Sequence, residues 1–178
     1  MTFNFLYKLL LEMPQRIDID LKMEETVAHI KKVGRFVEKV KLNNIDYDVW
    51  EVNNGDTDLY FIHNDKVVAA EVGFYPKKYG IEENLIQQNP KYKGLARAIY
   101  IEYLLKKYSY ILSDTTMTPA GLGFWIKLYE QYKDTFVFSI YEISTKVNRR
   151  IHSANEMRRV HGKNKKFHNY RYMVQHKQ

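Results

Sequence analysis

Between Lys91 and Arg97 the chain reads Lys-Tyr-Lys-Gly-Leu-Ala-Arg, directly ahead of a stretch with helical apolar spacing. Those residue types suit the gripping of an anion by backbone amides. A helix start leaves N–H groups unpaired and carries the positive end of the helix dipole. Gly94 has no Cβ to hold a phosphate away from those amides. Ala96 leaves room while still favouring the helix, and Lys91, Lys93 and Arg97 add charge around the same point. A plain turn with solvated lysines would use the same residues, so spacing alone leaves both readings open.

The elements that must position this loop follow from periodicity. In KMEETVAHIKKVGRFVEKV, Val27, Ile30 and Val33 can share one face, with acids leading and bases following, which predicts a helix. IDYDVWEV alternates, placing Ile45, Tyr47, Val49 and Glu51 on one side, as a strand would. DLYFIHNDKVVAAEVGFY predicts two strands joined by a two-residue turn at Asn64–Asp65. After a break from Pro76 to Gly80, IEENLIQQ predicts a further strand, and a helix is expected from about Leu95 to Tyr108. A short strand in YSYILSD comes next, and Thr118 and Pro119 supply the N-cap and first position of another helix. FVFSIYEIS and the segment Asn169 to Gln175 predict the last strands. This order predicts a single α+β domain over residues 1–178, a mixed and mostly antiparallel sheet flanked by helices. The start, MTFNFLYKLLLEMP, reads as a strand or short helix.

Composition narrows the chemistry. The 178 residues suffice for a packed core, and 15 Tyr and 9 Phe supply packing material. With no Cys there is no disulfide, thiolate metal site or Cys nucleophile. His29, His63, His152, His161, His168 and His176 lack metal-ligand spacing, so no metal is expected. No serine sits in a Gly-x-Ser-x-Gly context, which argues against a serine hydrolase. No apolar run approaches the ~18 residues of a membrane span. The expectation is a soluble, cytoplasmic protein that does not engage a membrane.

The net charge of +7 is uneven. From Lys146 onward lie 10 of the 28 basic residues and a single acid, Glu156. Residues 146–168 read as a basic insertion before the final strand. RRIHSANEMRR can form a helix with Ile151, Ala154 and Met157 or Val160 inward. GKNKKFHNYRY mixes bases with aromatics, which suits phosphate backbones and stacked bases. Nucleic acid or an acidic protein is therefore a candidate partner for residues 146–178, and a solvated loop is the plainer alternative.

Lys91-Tyr92-Lys93-Gly94-Leu95-Ala96 resembles the pyrophosphate-binding motif of the GCN5-related N-acetyltransferase (GNAT) family, Gln/Arg-x-x-Gly-x-Gly/Ala. It falls where that family places the motif, between a central strand and the helix after it. YSYILSD and PAGLGFWIKLYEQYKDTF are similar to the family's next strand and helix, with LYEQYKDTF standing for Leu-Tyr-x-x-x-Gly-Phe and Tyr129 at its tyrosine. ILSD followed by Thr118, Gly121 and Trp125 looks like acetyltransferase-like proteins of tailed bacteriophages. The resemblance spans about Asp58 to Ile143. It departs from the pattern at Lys91, at Tyr92 where Gly is frequent, at Leu122 in place of an Asn, and at Asp134–Thr135 in place of Gly.

The resemblance implies a GNAT-like fold with acetyl-coenzyme A (acetyl-CoA) as co-substrate. Backbone of Ile86, Gln87 and Gln88 would pair with the pantetheine arm and polarise the thioester carbonyl. Amides from Tyr92 through Lys93, Gly94, Leu95 and Ala96 to Arg97 would hold the pyrophosphate, with Lys91 adding charge beside them. The acceptor amine must lose a proton, and Glu83, Asp114 and Glu71 are the candidate bases. Tyr129 would protonate the departing thiolate, or is a core tyrosine; Trp125 is core or the floor of the cleft. The lysines of the basic segment could reach the 3′-phosphate of coenzyme A. The implied activity is transfer of an acetyl group to an amine on an unidentified acceptor, in host cytoplasm if the protein is viral. The rival reading keeps the fold without the chemistry, as a virion component, a host-factor inhibitor or a nucleic-acid-binding protein.

Overall fold

The computed structural model describes residues 23–53, 55–115, 117–161 and 168–177. The element expected in MTFNFLYKLLLEMP, and residues 162–167 of the basic segment, lie outside the described residues.

Tight asparagine turns build the first half of the sheet. Strands β1 (Arg35–Leu42) and β2 (Ile45–Asn53) are joined by Asn43 and Asn44 at φ 50° and 63°. Strands β3 (Thr57–His63) and β4 (Val67–Pro76) are joined by Asn64, Asp65 and Lys66, the first two at φ 51° and 60° and the Lys66 N–H donating to His63 O at 3.2 Å. Asn and Asp enter the left-handed region most readily among residues with a side chain, and two in succession match the twist of paired strands. The second turn falls at Asn64–Asp65 as expected, with Lys66 as a third residue before β4 begins. Strand β1 stands where the far half of the opening helix was expected. Helix α1 (Met23–Val33) stops at Gly34, whose N–H donates to Ile30 O at 2.7 Å, and Arg35–Leu42 pairs with β2. Phe36, Val37 and Val40 suit a pleated surface, and that pairing overrides the helical spacing.

Strand β5 (Ile81–Gln88) completes the antiparallel run with β4. Helix α2 follows in three continuous parts, α-helical at Leu95–Ala98, π-helical at Ile99–Leu104 and α-helical at Leu105–Lys107. Then come β6 (Tyr110–Leu112), α3 (Pro119–Tyr132), β7 (Phe136–Glu142), β8 (Val147–Arg150), α4 (Ala154–Arg159) and β9 (Tyr170–His176). Thr118 caps α3 as expected, its Oγ1 accepting from the Gly121 N–H at 3.1 Å. The basic segment differs from expectation. Val147–Arg150 is a strand paired with β7, so the helix starts only at Ala154. Ile151 and Met157 are buried in the core, and Tyr172 Oη donates to Met157 O at 2.8 Å.

The nine described strands form one sheet in the order β1-β2-β3-β4-β5-β6-β9-β7-β8, an α+β architecture. All neighbouring strands run antiparallel except β5 and β6. Helix α1 covers one face, burying Val27 and Ile30 against Val52, Ile62 and Val68. The main core joins Phe61, Phe74 and Val72 of the sheet to Leu95, Ile99 and Leu104 of α2 and Trp125 and Leu128 of α3. Each such large apolar side chain contributes roughly 1.5–3 kcal/mol on burial. No described helix is long and apolar enough to cross a membrane.

Strand β6 is short and depends on its far neighbour. Beyond its three residues, the buried Ser113 N–H donates to Tyr172 O at 2.8 Å and its Oγ accepts from the Tyr172 N–H at 2.9 Å. Ser113→Ala should therefore strand a buried N–H and lower unfolding stability by about 1–3 kcal/mol. Denaturant unfolding reads this directly, and an unchanged midpoint would contradict it.

Candidate active site

Strand β5 pairs with β6 at only two positions, Ile81 with Ile111 and Glu82 with Leu112. From Glu83 to Gln88 the β6-side edge of β5 faces a cleft of about 1030 Å³. Residues 83–88 form one wall, and α3 from Thr118 to Leu128 contributes the other. At ~3.3 Å per strand residue the β5 wall is roughly 17 Å long. At 1.5 Å per helical residue the α3 wall is roughly 15 Å. The cleft is thus elongated, with backbone hydrogen-bonding groups of a strand edge along its side.

Its two ends carry opposite charge. At one end Arg97 and Lys127 line the cleft with Gly94 and Ala96. Arg97 Nη1 donates to Gln131 Oε1 at 2.5 Å, tying α2 to the end of α3. At the other end are Glu83 and Asp114. Asp114 Oδ1 accepts from the Thr115 N–H at 2.5 Å, in the loop that leads to α3.

Glu83 is the most perturbed acid. A bulge decides where it points. Gly73 pairs with Leu85 and Phe74 with Glu83, leaving Asn84 as the extra residue. In an unbulged ladder Asn84 would pair with Phe74 and Glu83 would lie opposite Tyr75, on the face of α1. The bulge turns it instead to the α2 face, where Tyr100 Oη donates to Glu83 Oε2 at 2.5 Å. Burial, above all, pushes the carboxyl up to about 7; Tyr100 opposes this and the Asp114 charge adds to it. Burial likewise holds the Tyr100 phenol well above its ordinary value, so it remains a donor. Tyr100 belongs to the π-helical turn and packs edge-on against Phe124 and Trp125 at 5.0 and 5.8 Å. Sequence reasoning missed Tyr100, because a π turn leaves no mark in apolar spacing. Glu71, the third acid considered, lies on the opposite face with Tyr60 Oη donating to it at 2.9 Å.

The loop at 91–97 takes the form the glycine requires. Gly94 has φ 80° and ψ −1°, a conformation that resists a side chain. Leu95 N–H donates to Tyr92 O and Ala98 N–H to Gly94 O, both at 3.1 Å. The Ala96 N–H is occupied by Gln88 Oε1 at 2.9 Å. Gly94 and Arg97 amides have no protein partner among the described residues.

Of the residues expected at the cofactor, Ile86, Gln87, Gln88, Gly94, Ala96 and Arg97 line the cleft. Lys91, Tyr92, Lys93 and Leu95 are not among its lining. Lys91 and Lys93 are exposed nearby, and Leu95 is fully buried. Tyr92 turns to the β3–β4 hairpin, its Oη 2.8 Å from His63 Nδ1 and its ring edge-on to Tyr47. Tyr129 is not a lining residue either; it is buried with its ring perpendicular to Phe138 at 5.5 Å. Trp125 serves in both expected roles, buried in the core and lining the cleft. No protein-family model and no curated protein matches the chain.

The Glu83 carboxyl sets a pH signature on stability. Its folded pKa of about 7 exceeds the ordinary 4.5, so the native state keeps a proton that the unfolded chain has lost. Stability therefore falls as pH rises through that window and levels above it, a total of roughly 3 kcal/mol. Glu83→Gln abolishes the titration. Relative to the parent, the variant should gain about 2–3 kcal/mol between about pH 5 and pH 8 in urea unfolding. An equal difference at both pH values would contradict the assignment.

Proposed function

We propose that the protein is an acyl-coenzyme A-dependent N-acyltransferase that moves an acetyl group from acetyl-CoA to an amine. The observation that carries this reading is the open β5 edge, which runs from a cationic end to a buried carboxyl titrating near neutrality. A long ligand with phosphates at one end and amides along its arm matches that arrangement.

Arg97, Lys127 and the free amides of Gly94 and Arg97 would hold the phosphates. Gln88 must swing off the Ala96 N–H to add a third amide. The β5 edge from Asn84 to Gln88 would pair with the arm, and one of its N–H groups would stabilise charge on the carbonyl oxygen. Glu83, ionised, accepts the proton of the attacking amine as the C–N bond forms. When the C–S bond breaks, the same carboxyl returns that proton to the thiolate, whose conjugate acid is the weaker acid. Tyr100 orients the carboxyl throughout.

The occupied Ala96 amide and the buried Tyr129 favour one alternative, a non-enzymatic protein of the same architecture. Calorimetric titration with acetyl-CoA separates the two readings, since only the first requires binding. If acyl transfer holds, kcat/KM for a chosen amine should rise with pH through about 7, as Glu83 ionises. Glu83→Gln should lower kcat by about 10²-fold or more. Tyr100→Phe should move the acidic limb up by about one pH unit, because it removes the bond that favours the carboxylate. A Glu83→Gln enzyme with the parental rate and profile would remove Glu83 from the chemistry.

A further inference from the structure

Helix α3 carries little bulk where it faces β5. Ala120, Gly123 and Lys127 recur at helical spacing, and all three line the cleft. Gly123 lies well inside the helix, which runs from Pro119 to Tyr132. Glycine weakens a helix interior relative to alanine, because it gives up more backbone freedom on folding. Two features ordinarily offset that cost. One is a left-handed backbone, and the other is a neighbour that leaves no room for a Cβ.

Neither applies at Gly123. Among the described residues the glycines with positive φ are Gly55 and Gly94. Gly34, Gly73, Gly80 and Gly121 each have a neighbouring atom 2.3 to 2.7 Å from where a Cβ would stand. For Gly121 that atom is Met117 Cγ, in the loop that leads into α3. At Gly123 nothing lies within 4 Å of the same point, so a side chain there would project into open space. That space belongs to the cleft, which Gly123 lines, and not to the core. Every other described glycine has a reason within the protein; the reason for Gly123 lies in what the cleft admits.

The helix fixes where along the cleft this happens. Thr118 marks the carboxyl end of α3's wall, and Lys127, about one turn beyond Gly123, marks the cationic end. A ligand that joins the two ends must pass Gly123 on one side and the edge of β5 on the other. We propose that Gly123 is a specificity-determining residue, the point where the pantetheine arm of an acyl-coenzyme A thioester lies against the bare backbone of α3. The inference rests on the acyltransfer reading and adds to it how the site admits an extended carrier. Bulk at position 123 closes the passage between the phosphates and Glu83 while leaving the side chains at both ends in place.

Coenzyme A is titrated by calorimetry into the parent, Gly123→Ala and Gly123→Leu, with 3′-phosphoadenosine 5′-diphosphate, the same carrier without its arm, as control. Both substitutions should raise the thermal midpoint by about 2–4 °C, because each adds helix propensity where no atom stands in the way. Gly123→Ala should keep coenzyme A affinity within about twofold of the parent, since one methyl group fits the open space. Gly123→Leu should weaken it about tenfold or more. The armless nucleotide should bind the parent and Gly123→Leu alike. A Gly123→Leu protein that binds coenzyme A as the parent does, that loses the nucleotide equally, or that melts lower would overturn this inference alone. Failure of the parent to bind either ligand would overturn the acyltransfer reading, and the role of Gly123 with it.

Discussion

The parting of β5 from β6 after two residue pairs is the constraint on which the site depends. Inside a continuous sheet, an unpaired strand edge leaves backbone donors and acceptors that must find partners elsewhere. Here the gap is held open from both sides. Ser113 and Tyr172 fasten β6 to β9, and Phe124 and Trp125 of α3 stack against Tyr100 rather than letting the strands close. The result is a slot whose length, backbone groups and end charges are all set by where two strands cease to pair.

One inserted residue gives the slot its chemistry. Asn84 bulges out of the β4–β5 ladder, and side-chain parity reverses on either side of it. Glu83 goes to Tyr100 and the α2 core, while Leu85 and Gln87 face the α1 side. A single bulge therefore puts Glu83 on the face opposite Glu71, buried against Tyr100. The loop at Gly94 is organised independently of it, by a left-handed glycine and by Gln88 reaching back from the end of β5. Gln88 acts there as a cap for an orphan amide, and its exchange for an anion leaves the hydrogen bond count at that amide unchanged.

Legibility in the sequence followed how local each signal was. Asn64–Asp65, Thr118–Pro119 and the strand 81–88 rest on turn chemistry, capping and composition within a few residues, and they stand in the structure as read. Strand β1 was hidden because Val27, Ile30 and Val33 set a helical rhythm that Phe36 and Val37 continue, while the pairing that makes 35–42 a strand lies with β2. Strand β8 was hidden for the same reason, since Arg149 and Arg150 read as the start of a helix until β7 pairs with them. At the site, Glu83 could be named but not separated from Glu71, because the bulge that puts them on opposite faces is a property of register. Tyr100 could not be named at all. The π-helical turn that aims it is visible only in backbone geometry.

The most direct test of the account is amide hydrogen exchange on the full chain with and without coenzyme A. The open edge of β5 should gain protection across residues 84–88, together with the amides at 94–97, while β1 to β3 remain unchanged. Protection that appears only in the basic segment after Lys146, or none at β5, would contradict the claim that this parted edge is where the ligand pairs.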